Sequence, residues 1–180
     1  MPDFPPTQIR TERLFLRKPV MEDAATIYDT YASDSEVSRY LTWRPHASVT
    51  DTRKFIDRCI FTWAEGSAFP WTIIRQKDQQ LLGMIEITRV DHAGVNLGYV
   101  LGRDFWGNGY MTEALTFLIK WAMSQEDVFR VWAICDAENA ASARTLEKVG
   151  MEREGTLRRW LRLPRFGDTP RDCYCYAIIK

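Results

Sequence analysis

Two glycines one residue apart, Gly107 and Gly109 in Trp106-Gly107-Asn108-Gly109-Tyr110-Met111-Thr112-Glu113-Ala114, close an apolar run and open a long amphipathic one. Such a segment can form an anion cradle. Gly tolerates positive φ and lets a ligand approach the backbone. The first four N–H groups of the following helix have no internal partner and lie at the positive end of its dipole, so a phosphate is their natural occupant. Met111, Leu115, Leu118, Ile119 and Ala122 recur at three- and four-residue spacing, which gives the helix a stripe to bury and a fixed N-terminus. A P-loop would need Lys and Ser/Thr directly after its last Gly, where Tyr110 and Met111 stand. A dinucleotide fingerprint would need a third Gly where Thr112 stands and an acidic ribose ligand near Phe129. Taken alone, the glycine pair reads equally as a tight strand-to-helix turn without a ligand.

Other groups add chemistry at a distance from the cradle. Glu86, in Gly83-Met84-Ile85-Glu86-Ile87, is a lone carboxylate in an apolar run, where burial would raise its pKa into the range of a general base. An exposed strand position or a buried structural ion pair would place a Glu there too. Cys59, Cys135, Cys173 and Cys175 lack metal-ligand spacing, and His46 and His92 are the only histidines, so no metal site is expected. Cys173 and Cys175 alternate in an apolar strand and read as reduced packing residues. Nothing in the sequence sets a His beside Cys135 to make it a nucleophile.

Lysine plus arginine equals aspartate plus glutamate, 24 against 24, so the overall field gives no argument for nucleic acid or an acidic membrane. Locally, Arg153, Arg158, Arg159, Arg162, Arg165 and Arg171 outnumber the acids around them, a cluster that suits a phosphate or acidic acceptor as well as a solvated face. The N-terminus carries acid and proline rather than a basic start and an apolar run, and no apolar stretch approaches membrane-spanning length. These features fit a reducing cytoplasm.

The elements that must position these groups follow from periodicity. Residues 13–18 alternate Leu14 and Leu16 inward as a strand, and the acidic pair Glu22 and Asp23 leads into a helix with Ile27 and Tyr31 on one face. Ser48 to Asp51 resembles a capping box with Asp in the Glu position, and Phe55, Ile56, Cys59, Ile60 and Trp63 stripe the helix that Gly66 ends. Residues 69–75, 81–90 and 95–101 read as strands joined by hairpin-length connections, the last feeding the cradle. A strand at 130–135, a helix near 139–149 stopped by Gly150, and strands near 151–163 and 173–179 complete the chain. The whole reads as one domain over 1–180, α/β (α+β), with a mixed, mostly antiparallel sheet of about seven strands and helices on both faces.

In this order, Gly98-Tyr99-Val100-Leu101, then Phe105 to Leu115, then Asn139 to Met151 with Ser142 and Gly150 inside it, resemble the successive motifs of the GNAT N-acetyltransferases. The branch resembled is the ribosomal-protein-alanine, RimJ/RimL-like one. Its opening pattern stands in Thr11-Glu12-Arg13-Leu14-Phe15-Leu16-Arg17 and its closing one in Arg171-Asp172 followed by Tyr176-Ala177.

The resemblance implies acetyl-CoA as cosubstrate. Its pyrophosphate is expected on the backbone from Gly107 through Asn108, Gly109 and Tyr110 to Met111, behind Trp106, with the Thr112 hydroxyl nearby. Its pantetheine arm is expected along Tyr99, Val100 and Leu101. An amine attacking a thioester develops an oxyanion, which a strand N–H near Val100 or Leu101 can stabilise if the neighbouring strands splay. Ser142 is implied as the residue beside the CoA sulfur, and Asn139, on the same helix face, as a ligand of the pantetheine amides. Asn139 also reads as an N-cap. Branch members often carry Glu just before the Gly-Tyr of the central strand, where this chain has Asn96, so Glu86 becomes the candidate base or amine anchor. Asp104 stands where the cradle pattern often begins with Gln or Arg. Tyr40 to His46, with Trp43 and Arg44, lies where the superfamily builds its acceptor wall.

The expected activity is transfer of an acetyl group to a primary amine, either a protein N-terminus or a small molecule. A homodimer is compatible with it. A non-catalytic acyl-CoA sensor of the same fold is the competing expectation, kept open by Asn96.

Overall fold

The computed structural model describes residues 5–90 and 94–180. His92 lies outside them. Among the described residues, eight strands form one open sheet in the order β1-β2-β3-β4-β5-β6-β8-β7, with β1 Gln8–Arg10, β2 Leu14–Arg17, β3 Ala68–Arg75, β4 Gln80–Val90, β5 Gly94–Leu101, β6 Arg130–Asp136, β7 Glu152–Leu161 and β8 Arg171–Ile179. All pairings are antiparallel except β5 with β6. The strand count corrects the sequence expectation of about seven. The additional strand, β1, has three residues with only Ile9 buried, too short to show an alternation.

Four α-helices among the described residues cover the sheet: α1 Ala24–Ile27, continued by a π-type turn to Ala32, α2 Val49–Glu65, α3 Tyr110–Met123 and α4 Ala140–Lys148. The first two bury Ile27, Tyr31, Ala32, Ile56 and Cys59 with Met84 of β4, and Val100 of β5 packs on the same cluster. The larger core joins α3, through Met111, Ala114, Leu115, Leu118, Ile119 and Ala122, to Trp71, Ile85, Ile87, Leu97 and Val131. The capping box expected at α2 does not form: Ser48 Oγ donates to the Asp51 carboxylate at 3.3 Å, and no side chain caps the helix N-terminus. Asp in the Glu position is one methylene shorter and pairs with the hydroxyl instead. Gly66 ends this helix in the left-handed region, at φ 71°.

One register decides where a ligand can enter. The β5–β6 ladder holds only Gly94↔Arg130, Val95↔Val131 and Asn96↔Trp132, after which β5 continues to Leu101 and β6 to Asp136 without pairing to each other. At the last rung the Asn96 side-chain amide donates to the Trp132 carbonyl at 3.3 Å. Beyond it the strands splay, and backbone groups that a sheet normally consumes are left facing the opening.

Candidate active site

The cradle lies at the end of β5. Gly107 and Gly109 adopt φ of 75° and 76°, which a side chain would strain. The first bond of α3 runs from the Glu113 N–H to the Gly109 carbonyl at 3.0 Å, so the Tyr110, Met111 and Thr112 N–H groups have no helical partner. Tyr110 and Met111 turn their side chains into the core and offer only backbone to the outside.

A brace from the far edge of the sheet fixes this loop. Arg13 donates from Nη1 to the Asn108 carbonyl at 3.0 Å and from Nε to Glu113 at 2.6 Å, and its guanidinium lies 4.7 Å from the Tyr110 ring centroid. The Thr11 hydroxyl and the Arg13 N–H both donate to Glu113 Oε1, at 2.6 and 2.8 Å. Burial alone would raise the Glu113 carboxyl, but these bonds outweigh it and hold the group below its ordinary pKa. Sequence reasoning quoted Thr11 and Arg13 only as part of an opening pattern. Nothing in the sequence linked them to the cradle, because a contact across about a hundred residues leaves no local signal.

Along β5, the Gly102 N–H donates to the Leu82 carbonyl at 2.8 Å, while the Leu101 carbonyl accepts from the Trp106 indole at 2.9 Å. Strand alternation therefore turns the Val100 backbone toward β4 and those of Tyr99 and Leu101 toward the splayed side. Of the two N–H groups expected near the opening, Leu101 faces it and Val100 does not. Trp106, half exposed, braces the end of the strand through this indole bond.

Side chains on β5 alternate between the two helical layers. Tyr99 reaches α4, where its hydroxyl lies 2.6 Å from Ser142 Oγ. The Cys135 thiol lies beside Ser142, and burial pushes it up to about 11, so Cys135 remains a neutral thiol. Burial likewise raises the Tyr99 phenol. Asn139 Oδ1 accepts the Ser142 N–H at 3.1 Å: it is the N-cap of α4, and the cap orients the serine. The structure thus brings Tyr99, Cys135, Asn139 and Ser142 together across β5, β6 and α4.

Glu86 pairs with Gly98 and so projects from the face opposite Tyr99, toward α2. Burial raises its carboxyl above the ordinary value, opposed by the Thr88 hydroxyl that donates to it at 3.0 Å. Neither an exposed position nor an ion pair describes it: the residue is half-buried, and no cation bonds it among the described residues. Asn96, on the same face, spends its amide on the Trp132 carbonyl. Trp43 and Arg44 lie in the segment after α1. It is pinned by the His46 N–H bond to the Ala32 carbonyl at 2.8 Å, by the His46 Nδ1 contact with the Thr52 hydroxyl at 2.8 Å, and by the Trp43 and His46 rings at 5.4 Å. Trp43 is half-buried and Arg44 exposed. Among the described residues no group of three or more His, Cys, Asp and Glu side chains is placed to hold a metal. No helix there is long and apolar enough to cross a membrane.

An "uncharacterized N-acetyltransferase p20" of Bacillus licheniformis is 33% identical over 172 residues, 94% of each chain. The [ribosomal protein uS5]-alanine N-acetyltransferase of Escherichia coli is 25% identical over 88% of this chain and 85% of its own. RimL, a ribosomal alpha-N-protein acetyltransferase solved in complex with coenzyme A, superposes with a TM-score of 0.84 over 96% of this chain and 97% of its own, at 22% identity. The family profile described as "Acetyltransferase (GNAT) domain" matches residues 13–152. The splayed β5–β6 junction, the glycine cradle and these likenesses agree, and the chain belongs to the GNAT acetyltransferases, with homologues and structural neighbours in the RimJ/RimL branch.

Proposed function

We propose that this enzyme transfers the acetyl group of acetyl-CoA directly to a primary amine, a protein or peptide N-terminus or a small-molecule amine. The observation that carries the reading is the opening between β5 and β6, with the cradle at one end, Ser142 on one face and Glu86 on the other. The N–H groups of Gly107 to Thr112 hold the pyrophosphate, and those of Tyr99 and Leu101 line the path of the pantetheine arm. The Leu101 N–H is the donor for the developing oxyanion. Ser142, hydrogen-bonded to Tyr99, protonates the departing thiolate. Glu86, its carboxyl raised by burial, anchors the incoming ammonium or takes its proton. An ammonium has no lone pair, so one of these two services is required. Asn96 cannot itself take a proton, and beyond its bond to the Trp132 carbonyl its amide keeps one N–H and its Oδ1 for a proton-carrying water, the alternative to Glu86. The chemistry is suited to a cytoplasmic protein.

Free-thiol release from acetyl-CoA, followed over a panel of amines and N-terminal peptides, tests the proposal. Acceptor-dependent release accompanied by a mass increase of one acetyl group on the acceptor is the expected result. Release that no acceptor stimulates, together with a normal acetyl-CoA thermal shift, would return the chain to a binding role.

A further inference from the structure

The splayed ends of β5 and β6 are bridged, on the side of α1 and α2, by two segments far apart in sequence. Just beyond β5, Arg103 pairs with Asp34 at 3.1 Å. At the end of β6, Arg171 pairs with Asp136 at 2.6 Å and lies over the Phe166 ring at 4.0 Å. Phe166 in turn stacks on Tyr40 with ring centroids 5.8 Å apart, and Arg165 meets Glu36 at 3.4 Å. The chain from Asp34 to His46 and the turn Pro164–Phe166 therefore span the mouth of the cleft. In this bridge is a depression of about 110 Å³ lined by Ser35, Ser38, Trp43, Arg44, Pro45 and Arg165. Trp43 packs on the same apolar cluster as Val100, so the depression adjoins the layer that Glu86 faces.

Its charge is not balanced from within. Glu36, the partner of Arg165, is shared with Arg39 at 3.6 Å. Arg44 is exposed, and no carboxylate pairs with it among the described residues. Two guanidinium groups thus border a pocket large enough for a single small group, with Ser35 and Ser38 in its lining and the Trp43 ring as its apolar wall. Guanidinium forks match carboxylate and phosphate oxygens and hold them by charge-assisted bonds.

We infer that this depression binds an anionic group, a carboxylate or a phosphate, carried by the acceptor amine. The inference rests on the acetyltransferase reading and narrows its acceptor: the ammonium end meets Glu86 and the anionic end meets Arg44 and Arg165. The arginine cluster of the C-terminal region contributes one member, Arg165, whereas Arg171 is committed to Asp136.

Two measurements test it. First, succinate and inorganic phosphate are titrated at constant ionic strength into enzyme saturated with CoA, so that the pyrophosphate cradle is filled. At least one ion should bind the wild type and bind Arg44→Gln about tenfold more weakly, with Arg44→Lys between them, as loss of a charge-assisted bond predicts. Second, matched acceptors are compared: an Ala-Asp against an Ala-Asn peptide amide, and phosphoethanolamine against ethanolamine. The anionic member should be preferred by about tenfold in kcat/KM, and that ratio should collapse in Arg44→Gln while the KM for acetyl-CoA stays constant. The pair that shows the preference distinguishes carboxylate from phosphate. Failure of both ions to bind, equal binding by wild type and Arg44→Gln, or an acidic preference that survives the substitution would each overturn the anion site. Arg44-dependent ion binding in an enzyme that acetylates no amine would keep the site and remove the transfer reading.

Discussion

The wall of the cleft from Tyr99 to Thr112 and the wall opposite it are held by different means. On the first, the groups that face the opening are main-chain N–H groups supplied by one strand end, one loop and one helix start. On the second, as proposed above, they are side chains: Glu86 from β4, Trp43 and Arg44 from the segment after α1, and Arg165 from the turn between β7 and β8. In the proposed reading, the backbone wall recognises what every acetyl-CoA shares. A side-chain wall can change its ligand by substitution, which is why members of one fold can differ in acceptor without altering the donor site.

The largest effect is expected from breaking the backbone wall. At Gly109 the position of a Cβ is open apart from Arg13 Nη2 at 3.5 Å, so the cost of Gly109→Val lies in the φ of 76°, about 1–3 kcal/mol of strain or a displaced loop. Acetyl-CoA at about 100 times its Kd should stabilise the wild type by about 2.7 kcal/mol, and the substitution should erase most of that gain along with turnover. A folded Gly109→Val protein with an undiminished thermal shift would reduce the cradle to a turn.

Next comes Ser142, on the face of the opening that Tyr99 lines. Ser142→Ala should lower kcat by about 10- to 100-fold, the low end of general-acid effects, with the affinity for acetyl-CoA nearly intact. It also strips the Tyr99 hydroxyl of its 2.6 Å partner, so a loss of about 1 kcal/mol in stability should accompany it. Parallel losses in affinity and rate would make Ser142 a packing or binding residue.

The same division explains what the sequence revealed. The cradle, the α4 start and the strand run 95–101 were legible because each is a contiguous segment whose glycines, caps and periodicity act locally. The side-chain wall was legible only by name. Trp43 and Arg44 could be placed between the first helices, but the approach of Arg165 across about 120 residues follows from the Tyr40–Phe166 stack, which no local pattern encodes. The Arg13–Glu113 brace was hidden for the same reason. Asn139 shows the converse: N-cap and ligand roles ask for the same amide at the same position, so residue type cannot separate them.

A smaller, pH-dependent effect is expected at Glu86. Its carboxyl is raised in the folded protein by burial, so the native state holds the proton to higher pH than the unfolded chain does. The stability this confers is present below the unfolded pKa and is lost as pH rises through the folded one. Glu86→Gln should remove that decline, leaving the variant at least as stable as wild type at neutral pH, and should lower kcat/KM by about tenfold if an ammonium loses its anchor. Profiles on a peptide α-amine, with pKa of about 7.7–8, keep the acceptor's own titration from masking the enzyme's. Superimposable profiles would make Glu86 structural.

The smallest effect separates the two uses of Asn139. Asn139→Ala removes the cap that accepts the Ser142 N–H, which should cost about 1 kcal/mol in stability and loosen the serine. That loss alone says nothing about acetyl-CoA. Asn139→Ser keeps an N-cap oxygen but deletes the amide N–H donors. If the Ser variant regains the wild-type melting temperature yet binds acetyl-CoA more weakly, the amide N–H groups act on the pantetheine arm and the backbone wall has one side-chain member. If the Ser variant recovers both properties, Asn139 serves the ligand only by holding the first turn of α4, and with it Ser142, in place.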